Sequence, residues 1–376
     1  MTILIAPDKF KGSLTAAQVC AAVQKGIHGA SPDAKIISIP LADGGEGTAE
    51  LLTRFVGGQM VSIEVLGPDL KPVQAELGFS RDGKTAFIEM AKASGLQLLR
   101  PLDRNPLNTS TYGTGQMIRY ALDKGVENVV MGIGGSATND GGAGMAAALG
   151  FEFVIPRREK IIPTGKDVGS IKQIKKEGAH PAIQRTKFNI LCDVDNPLYG
   201  DAGATLVFGP QKGAAGHDIV KLEKGLRIFA DVIRRDVGIE PDFPGAGAAG
   251  GLGAGAKVFL NATMSRGFEF ISDFTKLEER LRTAQLVITG EGKIDIQTLS
   301  GKVVKGVAKL AADNNVPCVA IAGACDLPES SLRELGIQQV ITVMDNATSQ
   351  QEAMRSASNI IEKKSATFIK SWLSAI

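Results

Sequence analysis

The run Leu286-Val287-Ile288-Thr289-Gly290-Glu291-Gly292 decides the fold. Four apolar or β-branched residues stop at a glutamate between two glycines, and a helical pattern over 302–312 follows. A short continuous apolar run bounded by glycine reads as a buried parallel strand. Two further units of the same kind come next: strand 317–322 with helix 329–335, and strand 339–344 with a long helix over 350–372. The same alternation opens the chain. Residues 2–6 read as a buried strand, and Thr15 with Gln18 makes a capping box for a helix carrying Val19, Ala22, Val23 and Ile27 on one stripe. Residues 35–40 form a second strand, and a helix through Leu51, Leu52 and Phe55 follows it.

Between these ends the pattern changes. Residues 61–65, 73–79 and 85–90 are short strands separated by Gly67-Pro68-Asp69 and Arg81-Asp82-Gly83, which are turn signals for antiparallel pairing. The expected architecture is therefore α/β. Residues 1–60 and 284–376 form a flavodoxin-like doubly wound parallel sheet with strand order 2-1-3-4-5, and 61–283 an inserted mixed α/β domain. In such sheets ligands sit beyond the carboxyl ends of the strands, where the strand order reverses. The polar loops expected there are Asp8-Lys9 and Gly290-Glu291-Gly292.

At 376 residues the chain is long enough for two cores. A net charge of +2 implies no nucleic-acid and no membrane partner. The stretch 157–187, with Lys172, Lys175 and Lys176, reads as a solvated face. Cys20, Cys192, Cys318 and Cys325 have no paired spacing that suggests zinc, and reduced core cysteines point to a cytoplasmic protein. There is no signal peptide and no apolar stretch long enough to span a bilayer. His28, His180 and His217 fall outside every motif.

Residues 132–144 hold six glycines, with Ser136, Thr138, Asn139 and Asp140 among them, between a strand at 129–131 and a helix at 145–149. Glycines let the backbone turn with positive φ and approach a ligand, and amides at a helix start favour an anion, so phosphate is the first expectation. Gly132, Gly134 and Ala137 also fit a dinucleotide pattern with Glu152 as the ribose acid, but too many residues intervene before the helix. No Walker loop occurs: Gly301-Lys302 lacks the upstream glycine and the hydroxyl residue.

Asp193 and Asp195 follow a strand at 189–192, and carboxylates at i and i+2 could hold Mg²⁺; the other reading is a turn in which Asp195 or Asn196 bonds its own backbone. Lys212 stands in a loop where it could meet a phosphate or carboxylate. Residues 110–115 either cap the following helix or bind an anion, with capping favoured. Residues 244–255 either admit a ligand or pack tightly. Asp43, Glu46 and Glu291, in glycine loops, are candidate metal ligands or bases.

These runs together resemble one family. Ala6-Pro7-Asp8 with Phe10-Lys11-Gly12-Ser13, residues 42–48, 132–144 and 208–213, and Thr289-Gly290-Glu291-Gly292 with Asp295, Gln297 and Thr298 resemble the bacterial type I glycerate kinases over essentially the whole chain. The resemblance implies transfer of the ATP γ-phosphoryl group to D-glycerate, giving 2- or 3-phosphoglycerate, with Mg²⁺. It also implies that the second domain is restriction-endonuclease-like. Lys9 departs from the family's usual serine and Lys293 from its common arginine, and 155–187 matches poorly.

The expected site has Asp193 and Asp195 at the metal or as base, and Lys11 and Lys212 for anionic groups. Gly134, Gly135, Ser136, Thr138, Asn139, Asp140, Gly141, Gly290 and Glu291 hold ATP or glycerate. The alternatives are a kinase of another small hydroxy acid, a nicotinamide dehydrogenase and a non-enzymatic metabolite sensor. A homo-oligomer is left open.

Overall fold

The structure, a computed structural model, describes residues 1–158, 161–300, 303–344 and 349–375. The strands in chain order are β1 (Thr2–Pro7), β2 (Lys35–Ser38), β3 (Gln59–Leu66), β4 (Pro72–Phe79), β5 (Thr85–Glu89), β6 (Asn128–Gly132), β7 (Glu152–Val154), β8 (Gln173–Lys175), β9 (Lys187–Leu191), β10 (Thr263–Ser265), β11 (Leu286–Ile294), β12 (Cys318–Cys325) and β13 (Ile337–Thr342). They fall into two compact units, one of residues 1–43 and the chain from 268 on, the other of residues 44–267.

The first unit holds a sheet in the order β13-β12-β11-β1-β2 with every neighbouring pair parallel. Read from the β2 edge this is the 2-1-3-4-5 order, and β11 lies beside β1 with Ile3 opposite Leu286 and Pro7 opposite Gly290. Ile3, Leu4, Ile5 and Ala6 are all fully buried because helices Ala16–Ala30 and Val303–Asp313 both pack on β1. That two-sided cover is why the strand does not alternate. The capping box forms: Gln18 N donates to Thr15 Oγ1 at 3.2 Å and Thr15 N to Gln18 Oε1 at 2.8 Å. Gly26 lets that helix lie against Gln350–Ala375, since a Cβ there would stand 2.2 Å from the Glu362 carbonyl.

The second unit is built on the sheet β10-β9-β6-β5-β4-β3. β3, β4 and β5 pair antiparallel, as their turn signals require, while β5, β6, β9 and β10 run parallel. Phe151, Phe153, Phe229 and Phe259 pack ring against ring in its core. A buried side chain of that size contributes roughly 1.5–3 kcal/mol.

Two expectations need correction. The units divide at 43/44 and 267/268, not at 60/61 and 283/284. The helix after β2, Thr48–Phe55, packs on β4 and β5, and Thr53 Oγ1 fills the space of the missing Cβ of Gly78 at 1.6 Å. On the other side, Phe268 covers Gly306, so Gly267–Thr275 enters the first unit. Alternation says that a helix follows a strand, not which sheet that helix covers. Gly290-Glu291-Gly292 is also not a loop: β11 continues to Ile294, and its glycines admit β12, with the Ile321 carbonyl 2.1 Å from where a Gly290 Cβ would stand. The helix expected from 302 runs Val303–Asp313; Gly301 and Lys302 lie outside the described residues.

Candidate active site

In the first unit, carboxylates gather at the carboxyl ends of the central strands. Asp8 follows β1; its N–H donates to the Gly290 carbonyl at 2.8 Å, and its Oδ1 accepts the Lys9 N–H at 2.6 Å. Burial raises its carboxyl to about 7, the charge of Asp43 adds to this, and Glu291 contributes more weakly. Glu291 is raised too, mainly by burial, against a 2.6 Å hydrogen bond from Thr298 Oγ1. Thr298 in turn accepts the Asp295 N–H at 3.0 Å. Lys293 spans Asp295 at 3.5 Å and Asp326 at 2.7 Å. Lys11 is exposed.

A carboxyl titrating near neutrality is matched to accepting a proton at working pH. Asp8 was visible in the sequence as a residue beside the switch point, but it was not among the expected catalytic groups. The switch-point rule was the signal that could have raised it.

In the second unit the glycine loop follows β6, and here the structure redistributes the expected roles. Only Gly134 and Gly135 are exposed; residues 136–141 are buried. Among the described residues the N–H groups of Gly134 and Gly135 have no acceptor. Asp140 is fully buried and its carboxylate is consumed by the fold. Oδ2 accepts from Thr111 N at 2.8 Å, Thr111 Oγ1 at 2.9 Å and Gly144 N at 3.2 Å, and Oδ1 from Gly142 N at 3.2 Å. Burial raises its pKa, and these donors oppose the rise. The amides at the start of helix Ala143–Ala148 therefore already hold an anion, the Asp140 side chain. Thr111 does not cap its own helix, Tyr112–Asp123; it binds Asp140 and accepts the Met145 N–H at 2.8 Å.

Lys212 is 2% exposed, and its Nζ donates to the Thr138 carbonyl at 2.8 Å. Burial lowers its pKa to about 7, while Asp140 works in the opposite direction. It braces the loop from behind instead of standing free in a loop. Asn139 Nδ2 donates to Thr205 Oγ1 at 2.8 Å. Residues 244–255 supply packing: Gly250, at φ +69°, leaves 1.9 Å between a Cβ and the Thr138 carbonyl, and its own carbonyl accepts the Gly141 N–H at 3.0 Å.

Asp193 Oδ1 accepts the Gly267 N–H at 2.8 Å, and Arg266 donates to the Asp193 carbonyl at 2.8 Å and to Asp195 Oδ2 at 2.5 Å. The loop after β9 is thus tied to the segment after β10, and neither Asp195 nor Asn196 bonds its own neighbouring backbone among the described residues. Among the described residues no three His, Cys, Asp or Glu side chains gather as a metal cage. An ion that keeps most of its waters, as Mg²⁺ does, needs only one or two carboxylates; Asp193 and Asp195 each give one oxygen to a protein donor, Gly267 N and Arg266. Among the described residues no helix is long and apolar enough to cross a membrane.

Charged side chains at the ends of a parallel sheet, and a glycine loop with unused amides, are the equipment of an α/β enzyme. The sequence model of the glycerate kinase family matches residues 3–373. The glycerate kinase of Halalkalibacterium halodurans is 45% identical over 99% of this chain and 98% of its own length. The glycerate 2-kinase of Escherichia coli is 44% identical over 95% of this chain and 94% of its own. A crystal structure of a putative glycerate kinase 2 from Salmonella typhimurium superimposes with a TM-score of 0.90 at 42% identity, covering 100% of this chain and 99% of that one. The chain belongs to the glycerate kinase family.

Proposed function

We propose that the protein transfers the γ-phosphoryl group of ATP to a hydroxyl of D-glycerate, with 2-phosphoglycerate as product. The observation that carries this reading is the family match over residues 3–373. The name of the Escherichia coli relative, glycerate 2-kinase, favours the 2-hydroxyl.

Phosphoryl transfer depends on positioning and on offsetting charge. Asp8 is assigned as the acceptor of the substrate hydroxyl proton, because burial and Asp43 bring its carboxyl to about 7. The oxygen so released attacks the γ-phosphorus, and ADP departs with the bridging oxygen. The amides of Gly134 and Gly135 are assigned to an oxyanion of the substrates, and Lys11, exposed after β1, to a second. Mg²⁺, when bound, offsets phosphate charge, and Asp193 and Asp195 are the carboxylates assigned to it. Lys212 and Asp140 shape the glycine loop and keep it in register for that role. The second unit's likeness to restriction endonucleases is part of the same proposal.

The test is ³¹P NMR of the product formed from ATP, Mg²⁺ and D-glycerate. The expected resonance is that of 2-phosphoglycerate. The 3-phosphoglycerate signal would move the attack to the other hydroxyl. No ATP consumption with D-glycerate across several divalent ions would sink the proposal.

A further inference from the structure

Three arginines among the described residues are not exposed: Arg104, Arg234 and Arg266. Two of them have acidic partners. Arg234 meets Glu240, Asp231 and the Tyr199 hydroxyl, and Arg266 meets Asp195. Arg104 has none. Its Nε is closed off from solvent without an acceptor, and no side-chain hydrogen bond or ion pair reaches its guanidinium. The adjacent acid, Asp103, is held by Arg100 through two hydrogen bonds. A guanidinium cannot shed its charge, so a half-buried one without an anion is costly to keep. An orphaned buried donor in a folded protein calls for a specific explanation, and a bound ligand is one.

Its position says what kind. The Arg104 carbonyl lies 2.1 Å from where a Cβ of Gly213 would stand, so Gly213, at φ +95°, is what lets this backbone press on the turn that carries Lys212. Lys212 reaches the Thr138 carbonyl at 2.8 Å. From Arg104 the chain runs along the glycine loop, with Thr109 Oγ1 donating to the Ala137 carbonyl at 3.0 Å and Thr111 holding Asp140. Two more side-chain atoms on that loop, Thr138 Oγ1 and Asn139 Oδ1, are buried without partners.

We propose that Arg104 is the cation of the second unit that receives an oxyanion, a carboxylate or a phosphate, in bidentate fashion. The inference rests on the kinase reading, in which the carboxylate is that of D-glycerate and the phosphate that of ATP. The planar fork of the guanidinium matches both groups, which a lysine does not.

The test uses the full chain with Arg104→Met, which keeps the apolar stem, and Arg104→Lys, which keeps the charge. Calorimetry measures D-glycerate and a non-hydrolysable ATP analogue separately. The expected result is an affinity at least ~10-fold weaker in Arg104→Met for one of the two ligands, only partly recovered in Arg104→Lys. Loss confined to D-glycerate identifies the carboxylate, and loss confined to the nucleotide identifies the phosphate.

Unchanged affinity for both ligands in a folded variant overturns the inference. So does equal loss of both together with a lowered melting temperature. Should Arg104→Met not fold, Arg104→Lys carries the same comparison. Should the wild type phosphorylate no D-glycerate, the kinase reading fails by itself, and Arg104 is then judged with inorganic phosphate. Stabilisation of the wild type that is lost in Arg104→Met supports the site, and equal stabilisation of both, or of neither, rejects it.

Discussion

Asp8 and Asp140 are both carboxylates withdrawn from water, and burial raises the pKa of each, yet they do opposite things. Asp140 is met by four hydrogen bonds from Thr111, Gly142 and Gly144. Among the described residues Asp8 accepts a hydrogen bond only from Lys9 N, and it faces the charges of Asp43 and Glu291. The glycine loop spends its charges on shape: Asp140 anchors one side and Lys212 braces the other. At the strand ends of the first unit Asp8 keeps a carboxyl that burial and Asp43 hold near neutrality, and such a group is what a proton transfer can use.

The sharpest test of this contrast is Asp8→Asn. As a base Asp8 works when ionised, so wild-type kcat/KM should climb with pH through about 7. The variant should lose that limb and fall ~10²–10⁴-fold. Stability should move the other way. The folded carboxyl binds its proton more tightly than the unfolded one, so the penalty is absent below about pH 4 and complete above about 7. Asp8→Asn should therefore melt higher than the wild type above pH 7. A variant with normal turnover and an unchanged pH profile would place the base elsewhere.

Asp193→Asn should lower turnover at least ~100-fold with little change in melting temperature, because asparagine keeps the acceptor for the Gly267 N–H while removing the charge. Near-normal turnover would assign Asp193 to holding the loop after β9, through contacts that include the Gly267 N–H.

Gly250→Ala attacks the shape side. The added methyl meets the Thr138 carbonyl at 1.9 Å on a backbone with φ +69°, so a loss of roughly 2–5 kcal/mol is expected from denaturant unfolding. Wild-type stability in that variant would mean that the loop is not held by close packing.

The last test, Lys212→Met, reads the pH dependence of stability rather than a single loss. The folded ammonium loses its proton near 7, well below its unfolded value, so its penalty is full below pH 7 and relieved as pH rises toward 10.5. Wild-type stability should rise across that window by at most ~1.4 kcal/mol per pH unit, and the methionine variant should lack this slope. Parallel pH profiles would show Lys212 to be charged and solvated, against the buried brace.

Much of the scaffold was legible because its signals are local. The turn residues at 67–69 and 81–83 announce the antiparallel pairing of β3, β4 and β5, and Thr15 with Gln18 announces a helix start. The candidate site was legible only in outline. Residues 132–144 stood out as a functional loop, but the phosphate expected at the following helix meets amides already held by Asp140. In sequence Lys212 reads as a loop cation, since nothing near it shows that it is buried. Arg104 carries no sequence signal, because its distinction is a missing partner.

The order of the parallel sheet and the presence of a second unit follow from the sequence alone. Hydrophobic period, turn chemistry and the spacing of glycines act between neighbours along the chain. Which sheet the helix Thr48–Phe55 covers, and which charges are paired, spent or left over, follows only from the tertiary structure. Burial and Coulomb partners are set by residues far apart in sequence: 29 positions separate Asp140 from Thr111 and 74 separate Lys212 from Thr138. A charge's desolvation depends on what folds over it, and no local pattern records that.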